Sequence, residues 1–147
     1  MKQHKHLGCY GIIIKDNKIL LIKKVSGPYD GKLDLPGGTI EFEETPEETL
    51  KREIKEEVGI EVKEYELLDC NSIIVDWLHK GENIKIHHIG IFYKVINYEG
   101  IIKNSIDIDS RNDDSMGAEF YDINNLQKGE LSEIVILELT KLGYELK

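Results

Sequence analysis

The chain has 147 residues, 40% apolar and 32% charged, enough for a proper hydrophobic core in one domain of ordinary size. Its net charge of −9 leaves no basic stripe for a nucleic-acid polymer, whereas small anionic substrates stay open because a bound cation inverts the local field. No apolar run reaches the length of a membrane span, and residues 1–6 lack the apolar core of a signal peptide.

In chain order, His4 and His6 come first, on what reads as a mobile terminus; a metal site is the alternative for a His pair so spaced. Residues 8–14 form a short, unbroken, β-branched run, the mark of a buried strand. Asp16-Asn17 makes a turn into a hairpin partner over 18–23. A loop over 26–31 leads to a short strand at 32–35. The turn Pro36-Gly37-Gly38 follows, where glycines permit positive φ and close approach of backbone to a ligand. Cys9 and Cys70 stand in no metal-binding spacing, and both read as reduced, buried thiols of a cytoplasmic protein.

A helix is predicted over 46–58. Thr45 is its N-cap, Pro46 takes the first position, Glu48 completes a capping box, and Gly59 suits the left-handed position after the last turn. Leu50, Ile54 and Val58 make the buried stripe. Glu53, Glu56 and Glu57 cluster on another face, and Glu44 reaches the same region from the loop ahead. Such crowding costs about 0.2–0.5 kcal/mol per like-charged pair even on an exposed helix, so something must neutralise it. A hard divalent cation is the natural candidate, with Arg52 pairing Glu56 along the helix. The competing reading is a solvated acidic face.

After Gly59, residues 60–69 alternate in part, and 71–78 form a second apolar stretch that includes Trp77. A turn at Gly81-Glu82-Asn83 leads into a long strand over 84–96. His87 and His88 point to opposite faces there, so at most one faces a cleft; a satisfied structural role and a substrate contact are both open for it. Residues 104–117 form a long acidic loop with Asp107, Asp109, Asp113 and Asp114, either a binding loop or a solvated one. A short strand at 118–121, a turn at 123–126 and a helix pattern over 131–142 complete the chain.

The spacing around the predicted helix is specific. Gly38, five residues, Glu44, seven residues, then Arg52-Glu53-Ile54-any-Glu56-Glu57-any-Gly59-Ile60 matches the Nudix box at every defined position. The chain resembles the Nudix hydrolases on this segment, residues 38–60, supported by Pro36-Gly37 and Glu41. One departure is Glu43, where many members carry glycine. The resemblance implies an α/β (α+β) fold: an α/β/α sandwich whose mixed central sheet is flanked by the box helix and a C-terminal helix, with residues 1–147 as one domain. It implies hydrolysis of a diphosphate linkage in a nucleoside diphosphate joined to another moiety, with Mg²⁺ as cofactor and Mn²⁺ as substitute. Glu53 and Glu57 are then the principal metal ligands, Glu56 sits beside them, and a backbone carbonyl of Gly37 or Gly38 assists. Glu53 is the leading general base, Glu44 orders a further metal or replaces it as base, and Arg52 orients a carboxylate.

Members recruit another acid from outside the box, for which Asp113, Asp114 and Glu99 are candidates. Trp77, Tyr29, Tyr93, Phe120 and His88 are candidate substrate contacts. The default substrate is a nucleoside triphosphate, as for a MutT-like pyrophosphohydrolase; the alternative is a nucleotide-binding sensor without turnover. The expected partners are a small nucleotide and a second copy in a homodimer, with no nucleic-acid polymer and no membrane.

Overall fold

The computed structural model describes residues 2–103 and 115–147. Its strands are β1 (Lys2–Ile12), β2 (Ile14–Lys15), β3 (Lys18–Lys24), β4 (Leu33–Asp34), β5 (Gly37–Thr39), β6 (Glu61–His79), β7 (Glu82–Glu99) and β8 (Ser115–Asp122); its α-helices are α1 (Pro46–Val58) and α2 (Glu133–Lys141). One sheet runs β5-β1-β7-β6 and is mixed, with β1 parallel to β7 and the other pairs antiparallel. In the second, β3 pairs antiparallel with β2, β4 and β8.

The unbroken apolar runs follow from burial on both faces. Along β3, Ile19 and Leu21 join one core while Leu20 and Ile22 join another; Tyr10 and Cys9 divide the same way on β1, as do Phe92 and Tyr93 on β7. The first core is closed by Ile134, Val135 and Leu139 of α2, the second by Leu50, Ile54 and Val58 of α1. This is the sandwich expected of the box, a mixed sheet region between two helices.

Five expectations are corrected. Residues 2–7 are no mobile terminus: they extend β1 and pair with β7, from Lys2 opposite Ile84 to Leu7 opposite Ile89. Pro36-Gly37-Gly38 is no simple turn, since Gly37–Thr39 adds an antiparallel strand to β1. Glu61–His79 is one strand, not two stretches; register shifts at Val62/Glu64, Glu64/Tyr65 and Leu67/Asp69 break the period that would have revealed it. The hairpin joining β6 to β7 turns at Lys80 and Gly81, both at positive φ as a two-residue hairpin requires, and Glu82 already belongs to β7. Cys9 is buried as expected, but Cys70 is exposed.

Candidate active site

Helix α1 is built by its ends and its apolar stripe. The Thr45 hydroxyl accepts from Glu48 N at 3.2 Å, and Glu48 Oε1 accepts from Thr45 N at 3.0 Å, satisfying two otherwise orphaned donors. Gly59, at φ 87°, donates to the carbonyls of Ile54 and Lys55 and closes the last turn. Burying Leu50, Ile54 and Val58 contributes about 1.5–3 kcal/mol for each side chain. That outweighs the repulsion among the acids on the other face, so packing forces the carboxylates together.

The acids meet a glycine edge. Gly37, at φ 145°, donates its N–H to Glu57 Oε1 at 2.8 Å. A Cβ at Gly37 would strike the Cys9 carbonyl; one at Gly38 would lie 2.7 Å from the Glu53 carboxyl carbon. These two positions need glycine because backbone and carboxylates come too close for a side chain. Glu57 is only 4% exposed, an acid that burial would penalise without that N–H.

Arg52 organises the other carboxylates. Its Nε donates to Glu44 Oε2 at 2.6 Å and its Nη2 to Glu44 Oε1 at 3.0 Å, a two-pronged contact. Its Nη1 donates to Glu53 Oε1 at 2.7 Å and more weakly to Glu56 Oε2 at 3.4 Å, and its Nη2 also reaches the Thr39 carbonyl at 3.2 Å. The Thr49 hydroxyl and the Glu41 N–H add to Glu44 at 2.6 and 3.1 Å. The hydrogen bonds from Arg52, then from Thr49, hold the Glu44 carboxyl down at about 2. Glu44 in turn raises the guanidinium, with Glu53 adding to it. The helix-spacing pair of Arg52 with Glu56, at 3.4 Å, is thus the longest of its hydrogen bonds.

A cleft of about 850 Å³ opens beside these groups. Glu53, Glu56, Glu57, Gly37, Gly38 and Lys103 border it, as do His6, Tyr10, Lys24, Tyr29, Asp34 and His88. Glu44 and Arg52 do not line it; they support it from behind. Lys103 Nζ donates to the Glu56 carbonyl at 2.6 Å and brings a cation to the acidic wall. His88 is held between the Tyr10 and Tyr29 hydroxyls, at 2.6 Å from Nε2 and 2.7 Å from Nδ1. Burial, with His6 and Lys24 nearby, drives the His88 imidazole down to about 3, so the ring is neutral.

Other candidates lie elsewhere. Trp77 stacks on His79 at 4.2 Å near the hairpin tip and does not border the cleft. Glu99 pairs opposite Glu61 at the end of β7, 3.7 Å from Lys63, and does not border it either. Tyr93 is buried in the α1-side core with its hydroxyl on Glu47 at 2.6 Å, and Phe120 packs against that core. Asp113 and Asp114 lie outside the described residues. Sequence reasoning overlooked His6, Tyr10, Lys24, Asp34 and Lys103 as cleft residues. For His6 the link is register, since the parallel β1–β7 pairing sets it opposite His88; Lys24, Asp34 and Lys103 lie on neither strand.

The wall is a hard-oxygen donor set. Among the described residues no three His, Cys, Asp or Glu side chains form a ready metal cage. Arg52 holds Glu53, and Gly37 N–H holds one oxygen of Glu57. The residues present fit an ion such as Mg²⁺, which takes few protein carboxylates and fills its shell with water and phosphate oxygens.

Comparison with known proteins agrees with this geometry. The NUDIX domain model matches residues 3–137, and the chain belongs to the Nudix hydrolase family. The ADP-ribose pyrophosphatase of Methanocaldococcus jannaschii is 40% identical over 125 residues, 85% of this chain and 66% of its own length. The 8-oxo-dGTP diphosphatase of Escherichia coli is 37% identical over 73 residues, 44% of this chain and 57% of its own. The chain thus spans just under two thirds of the first relative and little more than half of the second. The crystal structure of a MutT NUDIX hydrolase from Burkholderia pseudomallei superposes with a TM-score of 0.76 at 26% identity, covering 94% of this chain and 98% of that one. No helix among the described residues is long and apolar enough to cross a membrane.

Proposed function

We propose that residues 1–147 act as one domain that hydrolyses the diphosphate linkage of a small nucleotide, with a divalent metal, Mg²⁺ first and Mn²⁺ as substitute. One observation carries this reading: Glu53, Glu56 and Glu57 and the Gly37–Gly38 edge border a single cleft of about 850 Å³. Members of the family generally need a divalent metal. When bound, such ions neutralise charge on the diphosphate oxygens and acidify a water. Glu53 and Glu57 would hold the metal, with Glu56 beside them and a carbonyl of Gly37 or Gly38 assisting. Glu53 is also the leading choice to take the proton of the attacking water. Arg52 orients Glu53. Glu44, with both oxygens engaged, serves by fixing Arg52 rather than as a base.

A nucleoside triphosphate is the first substrate reading, in line with the 8-oxo-dGTP diphosphatase likeness. A nucleoside diphosphate joined to a sugar is the second, favoured because the likeness to the ADP-ribose pyrophosphatase extends over 85% of this chain. The test is a panel of nucleoside triphosphates, nucleotide sugars including ADP-ribose, and dinucleotides, with Mg²⁺ or Mn²⁺. Turnover should fall by about 10²-fold or more in Glu53→Gln and Glu57→Gln. Tight nucleotide binding without any turnover would instead support a sensor.

A further inference from the structure

The cleft is bordered by a second cluster that hydrolysis as described leaves without a task. His88 is 1% exposed, and both its ring nitrogens are engaged by tyrosine hydroxyls, one from β1 and one from the loop before β4. His6 lies flat against His88, ring centroids 4.6 Å apart and planes 14° apart, with its Nε2 2.9 Å from Thr39 Oγ1. A buried phenylalanine at 88 would meet the packing need without polar partners; an imidazole there requires two. The chain supplies both.

Proton counting shows what the cluster offers. A neutral imidazole carries one N–H, and two tyrosines carry two O–H groups. The two bonds within the cluster consume two of these three hydrogens, so one hydroxyl hydrogen is always left to donate outside it. Tyr10 and Tyr29 both border the cleft, and the tautomer of His88 selects which of them donates. Ile86 and Pro28, on the same lining, add apolar surface suited to a planar ring.

We propose that this cluster is the subsite for the nucleobase end of a nucleotide: the base lies against His6, backed by His88, and the surplus hydroxyl of the Tyr10–His88–Tyr29 cluster donates to an acceptor on the same ligand. The identity of the ligand rests on the proposed nucleotide chemistry. His6 is the contact residue; His88 is a positioning residue. Thr39 ties the subsite to the acidic wall, because its hydroxyl meets His6 while its carbonyl accepts from Arg52.

Calorimetric titration of the full chain with ADP and, separately, with inorganic pyrophosphate, each in Mg²⁺, tests the subsite. His6→Ala should weaken ADP about tenfold, within the range for stacking one base, and leave pyrophosphate unchanged. His6→Phe should restore ADP binding. His88→Phe, verified as folded by its melting curve, keeps a backing ring but removes both hydroxyl bonds; ADP should weaken about fivefold, the worth of one hydrogen bond, with pyrophosphate again unchanged. On a turned-over nucleotide both His6→Ala and His88→Phe should raise KM with kcat held. Unchanged ADP affinity in His6→Ala and His88→Phe, or equal loss for ADP and pyrophosphate, overturns the subsite. His6-dependent ADP binding in a chain that turns nothing over would uphold it while defeating the hydrolase; turnover with a KM indifferent to His6 would do the reverse.

Discussion

Gly37 and Gly38 are adjacent, yet they fail differently when a methyl group is added. At Gly38 the new Cβ meets the far end of the Glu53 side chain, which can swing away. Gly38→Ala should therefore melt close to the parent and lose most of its activity, because the carboxylate is displaced. At Gly37 the obstacle is the Cys9 backbone and φ is 145°, so Gly37→Ala should lower the melting temperature outright. Comparing the two melting curves with the two turnover rates separates a site effect from a folding effect. Glu44 makes a pH prediction. Its carboxyl is held at about 2 in the folded chain against an ordinary 4.5, so its contribution to stability is complete above about pH 4.5 and is lost as pH falls through about 2. Melting curves between pH 5 and 2 should fall less steeply in Glu44→Gln than in the parent.

At the scale of elements, α2 is pinned to β6 by an acid pair. Lys141 Nζ is 2.8 Å from Asp69 Oδ2, and Glu138, 2% exposed, also hydrogen-bonds Asp69. Burial, then Asp69, pushes the Glu138 carboxyl up to about 8, so it is the protonated acid and donates to Asp69; its Oε2 finds no partner among the described residues. Between about pH 4.5 and 8 the unfolded chain releases this proton and the folded chain keeps it, so stability declines as pH rises through that window. Glu138→Gln keeps the donor at every pH. It should flatten the decline and melt about 3 °C higher at pH 8.5, the shift that roughly 1 kcal/mol produces in a chain this long. Helix α1 is legible in the sequence because its caps, its stripe and its acids all follow from spacing within one helix. The long β6 is not, because its bulges break the alternation on which strand recognition depends.

At the scale of the molecule, the proposed reaction would bring an anionic substrate to a chain of net charge −9, and on that reading a divalent cation stands between them. Chelation by EDTA should abolish turnover, and Mg²⁺ or Mn²⁺ should restore it. Added Mg²⁺ should also raise the melting temperature, since a ligand at about 100 times its Kd stabilises the folded state by roughly 2.7 kcal/mol. That rise should shrink in Glu53→Gln and Glu57→Gln, a readout independent of any substrate.

By itself the sequence determined what lies within one turn of helix or one tight bend: the span of α1, its capping box, its left-handed close at Gly59, and the clustering of Glu53, Glu56 and Glu57. Tertiary structure alone decided which distant groups meet them. Parallel pairing of β1 with β7 joined 6 to 88, 82 residues apart, and turned a supposed mobile end into one wall of the cleft. Folding of the 38–45 loop gave Arg52 a shorter, two-pronged partner in Glu44 than the helix neighbour Glu56 at 3.4 Å. The physical reason is range: helical periodicity and caps are local and repeat in the sequence, whereas strand register is set by the whole core and leaves no periodic trace at the residues it brings together.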